Sequence, residues 1–189
     1  ASKGEGLGNK FLSHIREVDA IIHLVRCFDS DKITHVNSKI NPVEDLEIIK
    51  TEIILSDLDI IQKKLEKGKK KLLQEKEVEI LEEKLNQLNN GNEILSNDEF
   101  EKKLLSSLGL LSIKPKIIVC NVDEDSLANG NNFTENVKKK YSNEKIITIC
   151  ADIEDQIMGL DKNERETFMK EIGLNKTGLN QLIKEGYDL

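Results

Sequence analysis

The 189-residue chain has no tryptophan, only two prolines and 4% aromatic residues, so its core must be assembled from isoleucine, leucine and valine. That composition, with charged residues at 33%, excludes a proline-rich disordered chain or a fibrous one and describes a helix-rich globular protein. No apolar run approaches the roughly 20 residues that a membrane-spanning helix needs, so no membrane partner is expected. A basic-then-apolar leader is also absent, and the cytoplasm is the expected compartment. Cysteine is scarce: Cys27, Cys120 and Cys150 are far apart and odd in number. They show neither CxxC nor Cys/His ligand spacing, which argues against a disulfide framework and against a zinc site. Buried, reduced thiols and no metal ligands are the expectation. A formal net charge of -7 argues against a dedicated nucleic-acid binder, and no DNA partner is expected, although local basic patches remain compatible with it.

Three segments have the β-branched, nearly uninterrupted apolar character of strands buried on both faces: Val18 to Phe28, Pro115 to Val122 and Glu144 to Ala151. Such strands imply a parallel sheet covered by helices. Phe133 to Tyr141 supplies a short helix between the second and third, completing a βαβ unit. Two further helical patterns, IEDQIMGL and NERETFMKEIG, follow the third strand, and Gly173 is a natural stop for the second. Between the first two strands the pattern changes. Leu46, Ile49, Ile53, Ile54, Leu58, Ile61 and Leu65 form a three-then-four apolar seam that predicts one long helix from Val43 to Leu65. After a break at Lys67-Gly68-Lys69, a second seam runs through Val78, Leu81, Leu85 and Leu88. Two seamed helices joined by a short loop make an antiparallel hairpin. Phe100, Leu104, Leu105 and Leu108 mark a return helix, so the hairpin reads as an insertion into an α/β domain.

Chemistry concentrates at the strand ends. IIVCNVDE is a strand that runs into Asn121-x-x-Glu124, and polar side chains leaving the C-terminal edge of a parallel sheet are where open α/β folds bind ligands. An amide offers donors and acceptors that suit a purine edge, whereas a carboxylate only accepts. From spacing alone, ordinary turn chemistry after a strand is the simpler explanation of the same residues. The third strand ends in Cys150, Ala151 and Asp152, small enough for a flat ligand to approach.

Taken together, ASKGEGLGNKFL, HLVRCF, INPVEDLEIIKTEIILSDLD, the NVDED strand end and GLNQLIKEGYDL resemble the YchF family of Obg-related P-loop ATPases over essentially the whole chain. The resemblance implies an α/β fold: a partial P-loop NTPase, with a parallel sheet and flanking helices, interrupted by an antiparallel α-helical coiled-coil hairpin. It divides the chain into residues 1–42 (the end of switch II, a helix and a central strand), 43–96 (the inserted hairpin) and 97–189 (the rest of the nucleotide domain). It also implies that Asn121, Val122 and Glu124 form the base-recognition motif in its Asn-x-x-Glu form, associated with ATP over GTP, and that Cys150, Ala151 and Asp152 contact the base through backbone groups. Gly4, Gly6 and Gly8 would then belong to a switch loop that senses the γ-phosphate. The sequence contains no GxxxxGK[ST] and no DxxG, so the resemblance implies an internal piece of such a protein without its P-loop and TGS regions. On its own that piece is expected to bind ATP weakly or not at all, the ligands of Mg²⁺ lying mostly outside it.

Two further candidates are less specific. His35 follows the first strand at the ligand-bearing edge and could orient a water near the phosphates, or be a surface loop histidine. His23, within the first strand, reads as a core residue and His14 as part of a helix face. Lys63, Lys64, Lys67, Lys69, Lys70 and Lys71 crowd the hairpin tip and could follow an RNA backbone, or form a solvated tip. Relatives in the family associate with ribosomes, which favours ribosomal RNA. Two function classes follow: a ribosome-associated NTPase that hydrolyses ATP, with GTP as an alternative substrate, or a nucleotide-switched module that binds RNA or protein through its hairpin.

Overall fold

The computed structural model describes residues 7–30, 39–68, 73–92 and 94–189, with three strands and eight α-helices among them. Gly4, Gly6, His35, Lys69, Lys70 and Lys71 lie outside the described residues. By compactness the chain forms two units, Ala1–Ile21 with Glu47–Pro115, and Ile22–Leu46 with Lys116–Leu189.

The first unit is helical. It contains α1 (Leu7–Ile15), most of α2 (Pro42–Gly68), α3 (Glu75–Asn89) and α4 (Glu99–Ser107). At 27 residues α2 is about 40 Å long, and it begins one residue ahead of the expected Val43, just after Asn41, with proline at its first position. Ile61 and Leu65 of α2, Ile80, Leu81 and Leu88 of α3, and Leu104 and Leu105 of α4 share one apolar cluster, so the two seams and the return helix meet as their periodicity predicted. The same interior holds polar groups that periodicity did not reveal. Lys84 is fully buried, its ammonium 3.1 Å from Glu101 and 3.0 Å from Glu83. Glu101 also accepts from the Asn97 backbone N–H at 2.8 Å. That hydrogen bond is the main reason its pKa lies below the usual carboxylate range; burial opposes the shift and Lys84 assists it. Asp57 is also fully buried, accepting from the Leu111 and Ser112 amides at 3.0 and 2.8 Å and from Arg16 at 3.3 Å.

The second unit carries the sheet, β1 (Ile21–Arg26), β2 (Lys116–Asn121) and β3 (Lys145–Ile149), in the order β1-β2-β3. β2 and β3 are parallel, with Ile117 opposite Lys145 and Asn121 opposite Ile149. At one end of β1 the Ile21 N–H donates to Pro115 O, and at the other the Cys27 N–H donates to Asn121 O. Both chains thus advance in the same direction, and β1 is parallel too. Between β2 and β3 runs α5 (Asn132–Lys140), followed after β3 by α6 (Ala151–Gly159), α7 (Lys162–Glu171) and α8 (Gly178–Tyr187). Val25, Cys27, Ile118, Cys120, Val137, Cys150, Ile153 and Ile157 form the larger core on one face, and Ile117, Val119 and Ile147 a smaller one on the other, against which Leu182 of α8 packs.

Two expectations need correction. β2 is buried on both faces, but β1 is not: Ile22 and Leu24 are 53% and 62% exposed. β1 is outermost in the sheet order, and no described helix covers that face, so its burial alternates. His23, expected in the core, is half-buried instead, where the ion-paired Lys116 and Glu144 act on it. Helix α8 was not anticipated from pattern. Its first turn is held by the Thr177 side chain and by Glu154 of α6, whose carboxylate accepts from the Gly178 amide at 2.6 Å, a partner distant in sequence.

Candidate functional site

Because the strands are parallel, their C-terminal ends bring Arg26-Cys27, Asn121 and Ile149-Cys150 to one edge of the sheet. The Val122 N–H donates to Ile149 O at 2.8 Å, which carries the pairing one residue beyond β2. The chain then turns away through Asp123 to Gly130. Asn121 is half-buried, and its Oδ1 accepts from the Ala151 backbone N–H at 3.0 Å. This bond locks the amide's orientation, leaving its N–H₂ group without a partner among the described residues. Glu124 is exposed at the start of the turn, and its carboxylate likewise has no described partner. An oriented amide donor and an unengaged carboxylate acceptor therefore leave the same strand end, three residues apart.

The other expected positions divide by burial. Val122 and Cys150 are each 2% exposed, so their side chains belong to the core and only their backbones reach the edge. Ala151 and Asp152 are exposed in the first turn of α6. Cys150, at the N-cap position, offers that turn no side-chain hydrogen bond, and the Asp152 N–H remains available at a helix N-terminus. The thiols beneath the site are free and buried. Cys27 is hydrogen-bonded to Cys120, and that bond together with burial pushes its pKa up and keeps it protonated.

Asn131, which sequence reasoning passed over, stands at the far end of the loop. It caps α5 and also donates to the Cys27 carbonyl at 2.7 Å. An asparagine just before a helical pattern signals the cap; the bond to a strand 104 residues earlier has no local signature.

Away from the strand ends, Gly8 lies in α1. In the helical unit Lys63 is paired with Asp59 at 2.6 Å, Lys64 is half-buried and Lys67 is exposed in the last turn of α2. Among the described residues, no three histidine, cysteine, aspartate or glutamate side chains converge to hold a metal, and no helix is long and apolar enough to cross a membrane.

No protein-family model matches the chain. Over its full length it is 43% identical, across 202 residues, to the ribosome-binding ATPase YchF of Bacillus subtilis (strain 168). It is 42% identical across 200 residues to the protein of the same name from Escherichia coli O157:H7. The chain belongs to the YchF family. It spans about half the length of these relatives, 55% and 54% respectively. The structure of the Schizosaccharomyces pombe YchF GTPase superposes on all of the chain with a TM-score of 0.87 and 30% identity, the match covering 54% of that structure. The α/β arrangement of parallel sheet and flanking helices is thus the YchF fold over this region.

Proposed function

We propose that this chain is the base-recognising portion of a ribosome-associated YchF-type NTPase that binds and hydrolyses ATP. The observation that supports this most directly is the pairing at the end of β2: Asn121, oriented by the Ala151 amide, beside the unengaged Glu124 carboxylate. The freed Asn121 N–H₂ would donate to a ring nitrogen of adenine. The Glu124 carboxylate would accept from the exocyclic amino group, a donor that guanine lacks at that position. Backbone groups at Ala151 and Asp152 would line the base edge. These residues fit a purine. The triphosphate and Mg²⁺ are assigned to none of the described residues, which hold no metal-binding cluster. When bound, Mg²⁺ would supply charge neutralisation at the β- and γ-phosphates. Gly4 and Gly6 as a switch loop, and His35 as a residue that orients water, remain part of this reading, whereas Gly8 belongs to α1 and not to a loop.

The names of the relatives bring in the ribosome, and the end of α2, where Lys67 is exposed, is a described surface that suits a phosphate backbone. The chain by itself is expected to show no micromolar ATP affinity by calorimetry. In the full-length protein, Glu124→Ala should weaken ATP binding by about 10- to 100-fold, the value of a hydrogen bond to a charged group, and narrow the preference over GTP. Since Glu124 has no described partner, the substitution should leave folding unaffected. Unchanged ATP affinity and selectivity would refute the assignment.

A further inference from the structure

We propose that Asn131 is a positioning residue for base recognition, holding the loop that carries Glu124 against the end of β1. The proposal rests on the base-recognition reading above. From Asp123 to Gly130 the loop's own hydrogen bonds are short-range: the Ser126 N–H donates to Asp123 O and Oδ1, Leu127 N–H to Glu124 O, and Gly130 N–H to Ser126 O. Such bonds shape the loop but do not fix it to the sheet. Asn131 does so with a side chain used to capacity. Its Nδ2 donates to Cys27 O at 2.7 Å and to Ser126 Oγ at 3.2 Å, while its Oδ1 accepts from the Phe133 and Thr134 amides, both at 3.1 Å. Two donors and two acceptors are the whole inventory of an amide. One planar group therefore joins the end of β1, the middle of the loop and the start of α5.

The immediate surroundings favour this arrangement. The Asn131 N–H donates to Thr134 Oγ1 at 2.8 Å, and that hydroxyl donates to Asn131 O at 2.8 Å, on a threonine that is fully buried. Gly130 has φ +73°, and a Cβ there would stand 2.6 Å from Thr134 Oγ1, so neither the backbone nor the space accommodates another residue. Capping α5 does not by itself require asparagine, because aspartate, serine or threonine would serve. The donors to Cys27 and Ser126 do require it. Aspartate has none and would turn a carboxylate oxygen toward the Cys27 carbonyl; the hydroxyls of serine and threonine are shorter.

Asn131→Asp separates the two roles, since it retains the cap and removes the tie. In the full-length protein, hydrogen exchange at the Ser126, Leu127 and Gly130 amides should quicken, with melting unchanged within the value of a cap. ATP affinity should fall by about 3- to 10-fold, the worth of one ordinary hydrogen bond to a positioned loop, appearing in KM with kcat retained. Asn131→Ala, which loses the cap as well, should add a loss of thermal stability to the same change in affinity. If exchange in the loop is unchanged in Asn131→Asp, the tie does not hold the loop and the proposal is overturned. If the loop loosens and ATP affinity stays while Glu124→Ala lowers it, base recognition stands and the positioning role falls. If Glu124→Ala also leaves affinity unchanged, the base-recognition reading has failed and this proposal with it.

Discussion

Removing the Asp57 carboxylate should cost the helical unit far more than removing any exposed charge on the same helix. Asp57 is 0% exposed and accepts from the Leu111 and Ser112 amides, and Arg16, with 19% side-chain exposure, leans on it at 3.3 Å. In Asp57→Ala the Leu111 amide is left buried without a partner, at about 1–3 kcal/mol, and the half-buried Ser112 amide adds about 1 kcal/mol. Arg16 retains Gly109 O at 2.7 Å and the Ser56 hydroxyl, so its loss is smaller. The sum is about 2–5 kcal/mol, its upper part overlapping the range for breaking one side of a buried charged network. With a urea m-value of about 2 kcal/mol/M, the unfolding midpoint of the 189-residue chain should fall by roughly 2 M. Asp59→Ala on the same helix is the control. Its pair with Lys63 leaves both side chains more than half exposed, and the midpoint should barely move. A loss below about 1 kcal/mol for Asp57→Ala would refute the reasoning, because it would mean that water or neighbouring groups satisfy those amides once the carboxylate is gone.

His23 gives a pH dependence. Burial and then the charge of Lys116 lower its pKa from the ordinary 6.5, Glu144 partly opposing. The unfolded chain takes up a proton that the fold resists, so the contribution is complete above about pH 6.5 and is lost as pH falls toward the folded value. Thermal melts should show a steeper decline in the wild type than in His23→Gln over that window; parallel declines would count against it. For the hairpin, Lys64→Glu with Lys67→Glu should reduce ribosome co-sedimentation of the full-length protein and flatten its salt dependence. Lys63→Glu alone should do less, its charge being already paired with Asp59, and an unaltered profile in the double variant would end the RNA reading.

Several features needed nothing beyond local pattern. A three-then-four seam is the same information in a sequence as on a helix surface, so α2, α3 and their meeting in one core were legible from Leu58, Ile61, Leu65, Leu81 and Leu88. β2 was legible because four of its six residues are buried, a continuous apolar run. The strand-end residues Asn121 and Glu124 stood out because polar groups interrupt that run where a parallel sheet opens to ligands.

Tertiary structure alone decided what those residues face. An apolar run does not say whether one face or both will be covered, which is why Ile22 and Leu24 emerged exposed. The orientation of Asn121 depends on the Ala151 amide of another strand end, and α8 on a carboxylate from α6. Asp57, Lys84 and Asn131 look in sequence like ordinary surface polar residues. Each acquires its role from a partner 17 or more residues away, 17 for Lys84 with Glu101, 54 for Asp57 with the Leu111 amide and 104 for Asn131 with Cys27. Periodicity records which way a side chain points along its own element, and hydrogen-bonding capacity is spent on whatever the fold brings opposite it.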